Sequence, residues 1–232
     1  SKPALTQRLD GFLNQPLTGA SLQEIQKCIH TFCQEHDRPV VDVIVPEQEI
    51  TSGVLQLVVI EGHVGAVRSK GSRWFSGKRL EREIRLKPGD AIDAQIVSED
   101  IDWLNRNPFR TVDLVYAKGT GLYATDLNLE VKDRFPLRVY SGIDDTGNDT
   151  TGDERVFAGF NWGNALFLDQ QLNYQYTTDW SFDSVRAHSA SYVVPLPWQH
   201  EVSFFGSYAT TKAVAAGTKI DGESYQVSGR YT

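Results

Sequence analysis

The sequence predicts an α+β fold in which a β-α-α-β-β unit occurs twice in tandem, followed by a run of antiparallel β-strands. Three observations predict it. The order helix, helix, strand, strand appears twice before residue 134. Composition then changes: residues 1–134 hold 8 aromatic, 17 basic and 19 acidic residues, and residues 135–232 hold 17, 6 and 11. Beyond that point apolar residues alternate with period two.

The first unit opens with Leu5, Leu9, Phe12 and Leu13 at helical spacing, stopped by Pro16 and Gly19. Ser21 and Glu24 read as a capping box for a second helix, whose apolar stripe is Leu22, Ile25, Ile29, Phe32 and Cys33. Val40–Val45 is rich in β-branched residues and bounded by Pro39 and Pro46, which marks a strand. Val54–Ile60 reads as a second, buried strand. The second unit supplies the opening strand that the first lacks, at Val64–Arg68. Helices follow at Lys78–Leu86, ended by Pro88-Gly89, and at Ala94–Asn105, with Ile96, Val97, Ile101 and Leu104 inward. Asn107-Pro108 turns the chain into a strand at Thr111–Tyr116, and Gly119–Gly121 turns it into another at Tyr123–Val131. Trp103, Leu104 and Phe109 are expected in this unit's core. The repeat is about 65–70 residues long.

After Pro136 the alternating residues define about six strands. The apolar sets are Leu137, Val139 and Ile143; Val156, Ala158, Phe160 and Trp162; Leu172, Tyr174 and Tyr176; His188, Ala190, Tyr192 and Val194; Val202, Phe204, Gly206 and Tyr208; Tyr225, Val227 and Tyr231. Phe157 breaks the pattern. The opposite parity carries Arg138, Asn161, Asn173 and Gln175, which suit water. Periodicity alone leaves a membrane barrel and a soluble β-domain both open.

Composition and motifs narrow the chemistry. A net charge of −7 argues against a nucleic-acid partner. No apolar run approaches the ~20 residues of a membrane-spanning helix, although barrel strands need only about 9–11. Cys28, His30, Cys33 and His36 invite a zinc reading, but Cys28 and His30 point about 160° apart on one helix. A Cys28–Cys33 disulfide is misdirected for the same reason. Gly119-Thr-Gly121 matches a dinucleotide fingerprint by letter, yet a strand follows it where the fingerprint needs a helix. The acidic run Asp144–Asp153 lacks calcium-loop spacing and reads as a solvated loop. No Ser–His–Asp or Cys–His constellation gathers, so neither an enzyme nor a cofactor is expected.

Several runs resemble a known family. Pro46-Glu47-Gln48 with Gly53–Gly62 resembles the end of the first POTRA domain of two-partner secretion transporters, which belong to the Omp85 superfamily. These are the outer-membrane partners in hemolysin and filamentous-adhesin export. Asn105-Arg106-Asn107-Pro108-Phe109-Arg110 resembles the helix-to-strand turn of their second POTRA domain. Asp133–Arg138 resembles the passage into the barrel. Tyr140–Gly147, Thr151-Gly152 and Gly159–Asn164 resemble its first hairpin.

The resemblance implies a first POTRA domain at residues 1–62, a second at 63–134, and the first strands of a transmembrane β-barrel at 135–232. Family barrels have about sixteen strands, so a chain with six is expected to be a fragment or a truncated relative. It also implies export of a secreted exoprotein bearing an amino-terminal secretion domain, with the POTRA domains in the periplasm and the barrel in outer-membrane lipid. In that fold the strand after the second helix lies at a sheet edge, where an extended substrate can pair by β-augmentation. Here those strands are Val40, Val41, Asp42, Val43, Ile44 and Val45, and Thr111, Val112, Asp113, Leu114, Val115 and Tyr116. The rival readings are a barrel-assembly insertase and a soluble periplasmic interaction protein.

Overall fold

The computed structural model describes residues 2–50, 53–147, 153–215 and 218–232. It divides into two compact units. Unit one holds Ser1–Lys70, Leu80–Leu104 and Val112–Glu130; unit two holds Gly71–Arg79, Asn105–Thr111 and Val131–Thr232.

The first repeat runs through α1 (Lys2–Leu9), a 3-10 turn (Asp10–Phe12), α2 (Gly19–Gln34), β1 (Val41–Ile44) and β2 (Val58–Glu61). The expected capping box is displaced by one turn. Thr18 is the N-cap, its hydroxyl accepting from the Ser21 N–H at 3.1 Å while its own N–H donates to Ser21 Oγ at 2.7 Å. Ser21 therefore closes the box as the third helical residue, and Glu24 is not part of it. Ile25, Ile29 and Val43 form the core, with Leu5, Leu9, Phe12, Cys33, Leu55 and Leu57 packed on it.

The expectation of a buried strand over Val54–Ile60 is corrected. Only Val58–Glu61 is strand, and Val54, Val58 and Val59 are exposed. Leu55 and Leu57 meet the core while their neighbours face outward, so a continuous apolar run has only one covered face.

The second repeat contributes β3 (His63–Lys70), α3 (Gly77–Glu83), α4 (Ala94–Leu104), β4 (Arg110–Lys118) and β5 (Ala124–Asp133). Its sheet order is β3-β5-β4, with β3 parallel to β5. A parallel pair needs a long crossover, which the two helices supply. Leu80, Ile84, Leu104, Leu127 and Leu129 are fully buried. So is Asp100, which lies between the expected core positions of α4 and accepts from the Arg85 backbone N–H at 2.8 Å and from Arg85 Nε at 2.6 Å. Gly119 donates its N–H to the Ala124 carbonyl at 2.9 Å, closing a hairpin turn where a dinucleotide site would need a helix.

In unit two, β6 (Leu137–Asp144), β7 (Arg155–Ala165), β8 (Gln170–Asp179), β9 (Val185–Pro195), β10 (Glu201–Ala215) and β11 (Thr218–Tyr231) form an antiparallel meander in chain order. The register aligns every apolar set on one face. Val139 pairs Phe160, Phe160 pairs Tyr174, Tyr174 pairs Ala190, Ala190 pairs Gly206 and Gly206 pairs Val227. The other face carries Arg138 opposite Asn161, Asn161 opposite Asn173, and Asn173 opposite Ser191. Phe157 lies on this polar face opposite Gly142, where a Cβ would come within 2.4 Å of the ring. The missing side chain of Gly142 is what admits the aromatic exception. The middle of the acidic run, residues 148–152, with Thr151-Gly152, lies outside the described residues.

Candidate functional site

The expected edge residues fall on two separate strands. Val41, Asp42, Val43 and Ile44 form β1, which among the described residues pairs only with β2, while Val40 and Val45 flank it. Val41 and Val43 turn inward and Asp42 outward. Thr111–Tyr116 lie within β4, which ends the order β3-β5-β4 and so has a sheet neighbour on one side. Val112 is buried, Thr111 and Asp113 are exposed, and Val115 and Tyr116 present apolar surface. Burial around its hydroxyl raises the pKa of Tyr116, keeping the phenol neutral. An exposed edge with apolar side chains beside it can accept an extended peptide.

The strand sheet offers two chemically opposite faces. On the apolar face Val139 is 73% exposed, Phe204 53% and Tyr225 85%. The polar face is tied together across strands: Asn161 Nδ2 donates to Asn173 Oδ1 at 2.7 Å, Asn173 Nδ2 to Ser191 Oγ at 3.0 Å, and the Tyr140 hydroxyl to Gln175 Oε1 at 3.1 Å. Exposed Trp180 and Phe182 occupy the β8–β9 turn, and exposed Phe167 and Trp198 occupy the β7–β8 and β9–β10 turns. Aromatic residues thus flank both ends of the strands, as they do in a barrel girdle.

A third cluster was not visible in the sequence. Asn107, in the turn before β4, and Arg110, the first residue of β4, have buried side chains, and both reach Asp169 in the β7–β8 turn. Arg110 Nη1 lies 2.5 Å from Asp169 Oδ1, with only 3% of the arginine side chain exposed. Asn107 Nδ2 donates to the same Asp169 oxygen at 2.8 Å and to the Gly163 carbonyl at 2.7 Å. Asn107 Oδ1 accepts from the Phe109 N–H at 3.1 Å. The β7–β8 turn is shaped around this contact. Leu166, Phe167 and Asp169 all have positive φ, a conformation that costs a non-glycine residue roughly 1–2 kcal/mol. The Asp169 N–H donates to Asn164 Oδ1 at 2.9 Å, and Arg79 Nη1 donates to the Leu168 carbonyl at 2.7 Å.

Phe109 is buried, as expected, but not in the repeat's core. It belongs to unit two, where a Cβ on Gly163 would fall 2.0 Å from its ring and the Arg134 guanidinium sits 5.1 Å from its centroid. Leu104 is fully buried in unit one and Trp103 is half-buried there. Asn107-Pro108-Phe109-Arg110 was legible as a turn. Its partner Asp169 lies 59 residues further on, and no local pattern joins them.

Comparison with known proteins agrees with this geometry. Residues 124–231 match the model of the haemolysin secretion/activation proteins ShlB/FhaC/HecB, and residues 1–62 match the ShlB-type POTRA domain. The chain is 25% identical over 171 residues to the outer membrane transporter CdiB-2 of Burkholderia pseudomallei, covering 73% of this chain and 29% of the relative. It is 23% identical over 169 residues to the heme/hemopexin transporter protein HuxB of Haemophilus influenzae, covering 69% and 30%. The chain thus spans about a third of the length of these relatives. Among solved structures, CdiB from Escherichia coli superposes with a TM-score of 0.82 at 17% identity, covering all of this chain and 44% of that one. BamA from Haemophilus ducreyi gives 0.56 at 18% identity, covering 94% and 42%, a likeness of fold alone. The POTRA element order, the two-faced strand meander and the matched segments agree: over residues 1–62 and 124–231 the chain is a relative of the ShlB/FhaC/HecB haemolysin secretion/activation proteins.

Proposed function

We propose that the protein exports a partner exoprotein across the outer membrane by two-partner secretion. Residues 1–62 and 63–134 act as POTRA domains and residues 135–232 as barrel strands. The observation that carries this reading is the strand meander, in which all six apolar sets share one face and the other is mainly polar, with Phe157 and Phe205 as exceptions. Lipid on one side and water on the other suit both faces. The partner is a secreted protein with an amino-terminal secretion domain, and it first meets the transporter in the periplasm. Its extended segment adds a strand to β4 or β1 through main-chain hydrogen bonds, and Val115, Tyr116 or Ile44 supply side-chain selectivity. The chemistry needed is binding and passage, with no covalent step.

Two measurements test it. Deleting the gene should strand the partner exoprotein in the periplasm; unchanged export would refute the reading. Proline replacement at Leu114 and at Val115 tests the edge. Successive strand residues point their N–H groups to opposite edges, so one of the two prolines faces away from β5. That variant should keep its fold and lose binding of the secretion domain. Retained binding in both folded variants would remove β4 as the capture strand.

A further inference from the structure

The largely buried cluster at Asn107, Arg110 and Asp169 plays no part in capture or in the two faces of the strand sheet. We infer that these residues form a positioning latch. It holds the turn that begins β4 against the β7–β8 turn, and export requires it closed.

Three features argue for a built latch. Asn107 and Arg110 are buried, Asp169 is partly buried, and the groups satisfy one another: Asp169 Oδ1 takes both Arg110 Nη1 at 2.5 Å and Asn107 Nδ2 at 2.8 Å. Asn107 also grips the Gly163 carbonyl, and the Phe109 ring fills the space left by the glycine hydrogen. Arg110 is further confined by the Phe75 ring, 4.9 Å from its guanidinium carbon.

The second feature is strain. A turn with three non-glycine residues at φ of 56°, 59° and 61° persists only when its surroundings over-determine it. Asn164 does so from both sides, accepting from the Asp169 N–H and donating to the Trp74 carbonyl at 2.9 Å. The third is continuity. Arg110 is the first residue of β4, so the strand proposed to capture substrate starts at the residue that holds Asp169. A cohesive contact would need only apolar packing. Replacing a buried ion pair with apolar residues of similar volume is often neutral for stability. Directional bonds from two residues to one carboxylate oxygen instead define a position.

The latch rests on the translocation reading, and the test separates the two. In the intact transporter assembled in outer membranes, three variants are compared: Asp169→Ala, Asp169→Asn and the pair Arg110→Met with Asp169→Leu. Folded barrel is quantified, hydrogen exchange is followed over residues 105–111 and 163–169, and export is expressed per folded molecule. The apolar pair should assemble at the wild-type level, and the secretion domain should bind as before. Exchange in both segments should nevertheless quicken about 100-fold, because the bond that closes Asn107 onto Asp169 is lost with the carboxylate. Export per folded molecule should drop roughly tenfold or more, the penalty that small misplacements impose on positioned groups. Asp169→Asn keeps an acceptor for Asn107 and loses only the charge, so it should fall between wild type and Asp169→Ala. Wild-type exchange in the apolar pair, or wild-type export per folded molecule, overturns the latch. If the unmodified transporter exports nothing, the translocation reading fails, and the exchange measurement alone decides the latch.

Discussion

Strand β5 and the meander β6–β11 use the same alternation of apolar and polar residues and reach opposite ends. In β5, Leu127 and Leu129 are completely buried. In the meander, Val139 and Phe204 stay open to the surroundings although their alternation is as regular. Period two states only that a strand has two environments. Helices follow the first strand of the repeat; among the described residues none follows β6, and its apolar face stays open. The difference lies in what the chain supplies to cover a face.

The comparison can be broken or sharpened by substitution. The largest effect is expected where the two units' sequences interleave, at Phe109. Truncation to Ala should cost about 3–5 kcal/mol, read from unfolding of the assembled protein. A loss below about 1 kcal/mol would mean that the ring is not confined by Gly163. Next, Leu129→Ala should cost ~2–5 kcal/mol in water or membrane alike. Phe204→Ala should leave stability in detergent near wild type, since its ring is half open to the surroundings. Equal losses at the two positions would make the meander's apolar face an ordinary protein core.

Phe160→Arg should impair assembly by ~2–4 kcal/mol if the residue lies near the bilayer midplane, and Asn161→Arg far less. If Asn161→Arg is the worse, the faces are exchanged. Residues 135–232 alone should aggregate in water, because the apolar face and two unpaired edges remain uncovered; a monodisperse, folded segment would favour the soluble alternative. The smallest expected effect is Thr18→Ala, about 0.5–2 kcal/mol by thermal unfolding, against no loss for Glu24→Ala at the position that does not cap.

Much of the local structure was legible because its causes are local. Asn107-Pro108 and the Gly119–Gly121 pair mark turns by their own backbone preferences. The stripe of α2 announces the faces of Ile25 and Ile29. Errors arose where a residue's role depends on a distant covering. Val54–Ile60 reads as buried because it is continuously apolar, yet only alternate members meet helix-borne side chains. Asp100 is not among the inward residues expected on α4, yet it is completely buried with Arg85 as its partner. Phe109 was expected to be buried, but the wall it meets is Gly163.

The amino-acid sequence by itself determined the element order, the tandem unit, the change of material near residue 134 and the parity of each strand. These follow from turn stereochemistry and side-chain period, which act over a few residues. Tertiary structure alone decided that six parities of differing register share one face, because pairing fixes which residues lie opposite one another. It alone brought Arg110 to Asp169, since a buried ion pair is specified by closure in space. Two residues 59 positions apart leave no mark of that closure in either neighbourhood.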